Sequence, residues 1–294
     1  MDFTDTVNAM GHLRWELKPP STVVASTHTV MVAAFTGWND GADAAGDTID
    51  HLWEHWGAQT IAEVTPDDFV DFTASRPTVD LHDGVPSDIA WPSTRLGWCT
   101  PDSGLSVVLV KGPEPGFGWP AYCHTLIDAA DELGASTMIT LGAMLSDVPH
   151  TRPAPIFCAA REEHILRSVA LPRSNYSGPV GVPSVLTEFA YRRGLEALGL
   201  WAAVPGYTSG VPSIKGVLAL IDVLERILGV DVDTTGFAEA ADEYTTYLDG
   251  LVAEDSDTAE YVTRLEEAFD RADDLVLGSS TDLVVEVEDF LRGQ

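Results

Sequence analysis

The sequence predicts an α/β fold: a layered sheet covered by helices on both faces, followed by a small all-helical appendage. Three observations carry this expectation. Thr29–Phe35 and Ser106–Val110 are β-branched, apolar runs of strand length that are apolar on both faces, as in a sheet covered on both sides. Such runs alternate with stretches of helical periodicity, the pattern of a layered α/β sheet. Beyond Gly229 the strand-like runs stop, while helical stripes and acidic residues continue.

Taken in order, the strand 29–35 leads into the loop Thr36-Gly37-Trp38-Asn39-Asp40-Gly41. Ala42, Ala45, Ile49, Leu52, Trp53 and Trp56 then recur at helical spacing, with Asn39 or Asp40 placed to cap the helix and Gly57 to end it. Gln59–Val64 reads as the next strand, and the Pro- and Gly-rich stretch 77–101 as short edge strands and turns. After 106–110 come the loop Gly112-Pro113-Glu114-Pro115-Gly116, a helix Trp119–Leu133 stopped by Gly134, and a strand Thr137–Leu141. Pro155–Ala160 is a shorter strand, Pro183–Leu198 a helix stopped by Gly199, Leu200–Val204 a last strand, and Pro212–Leu228 a helix. The expected division is an N-terminal segment 1–28, an α/β domain 29–229 and an acidic helical domain 230–294. That last segment holds nineteen Asp and Glu against three Arg. Three apolar stripes keep it folded: Tyr244, Tyr247, Leu248 and Leu251; Tyr261, Val262, Leu265 and Phe269; and Leu283, Val284, Val287, Phe290 and Leu291.

Composition limits the function. With 45% hydrophobic residues and eight Trp the 294-residue chain can bury a large core, which excludes wholesale disorder. Sixteen Lys and Arg against forty-six Asp and Glu give a net charge of −30, which repels phosphate backbones and anionic lipid, so neither nucleic acid nor membrane is an expected partner. No long apolar span and no signal-peptide pattern occur, and the expected location is the cytoplasm. Cys99, Cys123 and Cys158 are odd in number and far apart, which indicates neither a disulfide framework nor a zinc cluster.

In an open α/β sheet ligands bind beyond the carboxyl ends of the strands, so the post-strand loops are where a site would form. The first carries Trp38, Asn39 and Asp40, the second Lys111 and Glu114, and the third runs from Leu141 to Pro153 with His150 and Arg152. Trp38, Asn39, Asp40, Glu114, His150 and Arg152 are the candidate ligand-binding residues. A carboxylate there would serve as general acid or base, Arg152 would hold an anion bidentately and Trp38 would stack on a flat ring. Equally, Asp40 can be a helix cap, Glu114 part of a turn and Arg152 the partner of a nearby acid. Ser146, Asp147 and His150 lack a Gly-x-Ser-x-Gly elbow and do not make a hydrolase triad. Glycine-rich dinucleotide and nucleotide loops are absent, so no cofactor is expected. His51-Leu52-Trp53-Glu54-His55 matches a zinc-peptidase string, but its helical spacing puts the three polar residues away from the apolar stripe, on a solvated face with Asp43, Asp47 and Asp50; no metal is expected.

At these loops the sequence resembles the proteasome assembly chaperone 2 family. The resemblance rests on Ala34-Phe35-Thr36-Gly37-Trp38-Asn39-Asp40-Gly41-Ala42-Asp43-Ala44, Gly112-Pro113-Glu114-Pro115, Thr140-Leu141-Gly142-Ala143 and Val148-Pro149-His150-Thr151-Arg152-Pro153. Tyr176-Ser177-Gly178-Pro179, Ala203-Val204-Pro205 and Ala219-Leu220 extend it, in order, over about residues 29–229. The acidic helical part is similar to the extension of actinobacterial-type members. The resemblance implies a three-layer α/β/α sandwich similar to the nucleoside phosphorylase and peptidyl-tRNA hydrolase group. It also implies a non-enzymatic assembly factor with protein partners and self-association, a homo-oligomer with a trimer favoured. Chaperone members can dock a C-terminal hydrophobic-Tyr-x tail; this chain ends Phe290-Leu291-Arg292-Gly293-Gln294, and it has Gly206 where many relatives have His. The other expectation carried forward is a small-molecule binder or a nucleoside hydrolase- or phosphorylase-like enzyme using the post-strand loops.

Overall fold

The computed structural model describes residues 11–17, 28–102, 104–174, 176–208 and 210–276. Its strands are β1 (Leu13–Trp15), β2 (His28–Thr36), β3 (Gln59–Val64), β4 (Leu81–His82), β5 (Val85–Pro86), β6 (Thr94–Asp102), β7 (Leu105–Pro113), β8 (Thr137–Ser146), β9 (Ile156–Ala160) and β10 (Glu196–Pro205). Its α-helices are α1 (Ala44–His55), α2 (Trp119–Glu132), α3 (Glu163–Val169), α4 (Val182–Arg193), α5 (Ile214–Leu228), α6 (Phe237–Ala253) and α7 (Ser256–Val276). Eight strands form one mixed sheet in the order β1-β3-β6-β7-β2-β8-β10-β9, and β4 with β5 makes a separate two-stranded arm.

The middle of this sheet is parallel: β2 runs alongside β7 and β8, and β10 alongside β8. Antiparallel strands extend it on either side. Thr36 pairs with Pro113 and Ser146 with Pro205, so the four parallel strands end at one edge and their following loops share it. Side-chain alternation along β2 builds the layers. Val30, Val32 and Ala34 pack with Ile49 and Leu52 of α1 and Leu220 and Leu224 of α5, while Met31, Ala33 and Phe35 pack with Tyr122 and Leu126 of α2 and Leu186 of α4. The result is the expected three-layer α/β fold, with α6 and α7 added beyond it.

Three sequence expectations change. The stretch 77–101 is not only edge strands and turns, because β6 is a nine-residue strand lying inside the sheet between β3 and β7. Leu96, Gly97, Trp98 and Cys99 fill it from both faces; a Cβ on Gly97 would stand 2.5 Å from the Trp53 ring, so glycine is what lets α1 pack there. Pro101 sits in the register shift between Cys99 and Asp102, where a missing amide hydrogen is tolerated. The helix begun at Pro183 does not run to Leu198. Gly194 ends it in the left-handed region at φ 98°, and Glu196 already belongs to β10. The apolar residues after that stop hid the boundary, since Leu195, Ala197 and Leu198 fit a helical stripe as well as the buried strand they form. Finally, His51 and His55 do not form a plain solvated face: His51 Nε2 lies 2.9 Å from the Asp233 carbonyl oxygen, and the Asp233 amide reaches His55 Nε2 at 3.2 Å. Both rings hold the segment that leads into α6.

β1 and α3 gave no sequence signal. β1 is only three residues and finds its place by pairing antiparallel with β3. At the opposite edge, β9 is partly covered because Cys158 exchanges hydrogen bonds with the backbone of Pro172 and Ser174, which limits pairing with other chains there. Cys99, Cys123 and Cys158 are free and buried, and burial pushes the Cys99 thiol up to about 12. Among the described residues no helix is long and apolar enough to cross a membrane. The third helical stripe, 283–291, and the terminal Phe290–Gln294 lie outside the described residues.

Candidate functional site

Two polar groups form at the carboxyl edge of the parallel strands. The first is built on the loops after β2 and β7. Asn39 is buried; its Nδ2 donates to Glu114 Oε1 at 2.6 Å, and the Val182 amide at the start of α4 donates to the same oxygen at 2.9 Å. Glu114 therefore places its negative charge on the N-terminal end of a helix, where free amides and the helix dipole favour it. The Asn39 carbonyl accepts from the Ala143 amide at 2.8 Å, tying the loop to β8. Gly181 closes the corner. A Cβ there would fall 1.6 Å from Asn39 Oδ1, so the carboxamide occupies the space a side chain would need.

Asp40 is the cap suggested by its position. Oδ1 accepts from the Ala45 amide at 2.7 Å and Oδ2 from the Gly46 amide at 2.9 Å, after a tight turn in which Ala42 and Asp43 have positive φ. Burial pushes its carboxyl up to about 6, against the two amides and the nearby Lys111 ammonium that favour the charged form. Lys111 itself pairs with Asp50 on α1. Trp38, one residue before Asn39, is 65% exposed and stands outside this network.

The second group is the loop after β8, and it faces the C-terminal helices. His150 is buried, with Nδ1 2.7 Å from the Tyr207 hydroxyl and Nε2 3.1 Å from Asp249 Oδ1 on α6. The His150 backbone amide donates to the same Tyr207 oxygen at 2.8 Å, which leaves the phenolic hydrogen for Nδ1 and the Nε2 hydrogen for Asp249. Burial lowers the His150 pKa, and the hydrogen bond to Asp249 opposes that shift without cancelling it. Lys215 on α5 donates to the His150 carbonyl at 2.6 Å. Arg152 makes a two-pronged contact with Asp270 on α7, both N–O distances being 2.8 Å, and a further one to Glu266 at 3.3 Å. Thr151 donates to Glu266, and Tyr261 donates to Asp147 at 2.5 Å.

Among the described residues no hydrogen bond or ion pair links the first group to the second. Asn39, Asp40 and Glu114 come together; His150 and Arg152 come together; Trp38 stands apart. The concavity beside His150, Arg152, Ser213, Lys215 and Tyr244 measures about 10 Å³, room for about one water. A roomier one, about 190 Å³, lies away from these loops between α4 and the β9–β10 edge, lined by Arg161, Thr187, Tyr191 and Trp201. Among the described residues no three His, Cys, Asp or Glu side chains converge as metal ligands would. Sequence reasoning missed Tyr207, Lys215, Asp249, Glu266 and Asp270. The last two are acids one helical turn apart, and that spacing was the only sign that one Arg could take both.

The chain matches the model of the PAC2 family over residues 34–252. Among solved structures, a PAC2 family protein from Streptomyces avermitilis MA is 39% identical over 80% of this chain and 99% of its own, with a TM-score of 0.74. The Mycobacterium tuberculosis proteasome-assembly chaperone homologue Rv2125 is 38% identical over 79% of this chain and 99% of its own, with the same TM-score. The M. tuberculosis protein of unknown function Rv2714, at 22% identity, shares the fold over 91% of this chain and 92% of its own, at a TM-score of 0.80. No curated protein matches. Two relatives near 40% identity and a family model spanning most of the chain lead to one conclusion: this chain belongs to the PAC2 family.

Proposed function

We propose that this chain is a protein-binding assembly factor of the proteasome-assembly-chaperone kind, acting through its surface in the cytoplasm as a homo-oligomer, with a trimer favoured. The observation that carries the reading is its 38% identity to a proteasome-assembly chaperone homologue over four-fifths of the chain. The disposition of polar groups supports it. Asp40, Glu114, His150 and Arg152 bond to internal partners, and Asn39 donates its amide to Glu114 while its buried Oδ1 has no partner among the described residues. Meanwhile Val79, Leu81, Val85, Ile89 and Trp91, on and around the β4–β5 arm, expose about half or more of their surface. So many exposed apolar side chains in one outlying segment, on both faces of its hairpin, favour a protein contact there.

The test mixes the purified chain with separately purified proteasome α-type and β-type subunits and follows complex formation by size-exclusion chromatography with light scattering. A complex that Leu81→Ser with Trp91→Ser weakens at least tenfold is expected; no complex with either subunit type at micromolar concentration overturns the reading. The same measurement on the chain alone is expected to give about 95 kDa for three 31.6-kDa chains, and a monomeric mass removes the trimer.

A further inference from the structure

We propose that the loop Asp147–Arg152 is a docking surface for an acidic segment of a partner protein, and that α7 is a tethered competitor seated on it. The inference rests on reading the chain as a protein-binding factor, and it specifies the chemistry of one partner contact.

The loop lies within the family-matched segment, whereas α7, starting at Ser256, lies beyond that segment's end at residue 252. α6 and α7 differ in their polar contacts. α6 buries Tyr244 and Leu248, and its Asp249 carboxylate reaches buried His150. α7 likewise buries two side chains, Val262 and Leu265, among those described. It reaches the loop through polar side chains: Glu266 with Thr151 and Arg152, Asp270 with Arg152, and Tyr261 with Asp147. These contacts are partly exposed, with Arg152 at 31% and Asp270 at 55%, so each is weak and replaceable.

What the loop recognises is general. The Arg152 guanidinium is a planar fork that fits any carboxylate, and the Thr151 hydroxyl donates beside it. Two acids one turn apart on a helix, as Glu266 and Asp270 are, satisfy the loop whichever chain carries them. The net charge of −30 repels an acidic partner at long range, but at physiological salt that repulsion fades beyond about 8 Å, while the fork acts at contact. Because α7 is tethered, it competes at an effective concentration on the order of millimolar, so a partner segment wins only when it too is held nearby by a second contact.

The experiment uses the full chain and, as probe, a fluorescent peptide of residues 256–271 read by anisotropy. The Glu266→Gln/Asp270→Asn variant removes the two α7 carboxylates from Thr151 and Arg152. It is expected to bind the probe at least tenfold more tightly than the unmodified chain, and adding Arg152→Ala is expected to abolish that gain. Hydrogen exchange of α7 amides is expected to quicken at least tenfold in the double variant, while α1 and α5 amides stay unchanged, which shows that the variant is folded. The proposal is overturned if α7 amides exchange at the unmodified rate, or if a probe bearing the same Gln and Asn changes binds as well as the acidic one. Proteasome subunits take no part in this measurement, so its failure leaves the assembly-factor reading standing, and the failure of that reading leaves this one measurable.

Discussion

The corner at Asn39 and the loop at His150 lie at the same edge of the sheet but are held by different physics. At the corner, a buried carboxamide and a helix N-terminus both donate to the Glu114 carboxylate, and a glycine leaves the space the carboxamide fills. At the loop, an arginine fork and a threonine meet carboxylates of an added helix, partly in water. Motifs that stand out equally in a sequence can thus serve the interior in one case and a separable contact in the other. Burial of the bonding partners tells them apart.

The comparison breaks most sharply at Gly181. Gly181→Ala drives a methyl group into the Asn39 carboxamide, and because Asn39 is short and buried it has nowhere to turn. A loss of about 3 kcal/mol in urea unfolding is expected, at the upper end for overpacking; a loss under about 1 kcal/mol would mean the corner is loose.

The two regions respond to pH with opposite signs. Asp40 has a folded pKa of about 6 against an ordinary 3.8, so its contribution to stability is fully present below 3.8 and is lost as pH rises through 6. The difference in stability between the unmodified chain and Asp40→Asn is expected to fall across that window by about 3 kcal/mol, as an order of magnitude. His150 has a lowered pKa, so its contribution is present above 6.5 and lost as pH falls through the folded value. The corresponding difference for His150→Gln is expected to rise with pH. A flat curve for either variant removes that half of the comparison.

The smallest expected effect is at Arg152. Arg152→Ala is expected to change global stability by less than about 1 kcal/mol, and 1 M salt is expected to erase the difference because the pair is partly exposed. A salt-independent loss of several kcal/mol would place Arg152 with the buried corner instead.

Legibility from sequence followed the same line. β2, β7 and β8 were readable because apolar residues on both faces leave little choice of element. Asp40 was readable as a cap because its chemistry is local, acting on amides five and six residues ahead. The α4–β10 boundary was not, since Leu195, Ala197 and Leu198 beyond Gly194 carry an apolar pattern that either a helix or a strand could continue. Nor were the partners of His150 and Arg152 readable, because Asp249 and Asp270 lie 99 and 118 residues away and only the packing of α6 and α7 brings them in.

The central place of β2 also has a consequence in time. β2 ends at Thr36, yet its neighbour β7 begins only at Leu105, about 70 residues later, and β8 later still. At a synthesis rate of ~5–20 residues per second, the six consecutive buried residues Val30–Phe35 leave the ribosome roughly 4–14 s before either pairing strand is made. The yield of correctly folded chain is therefore expected to depend less on the finished sheet than on what shields that strand during the wait.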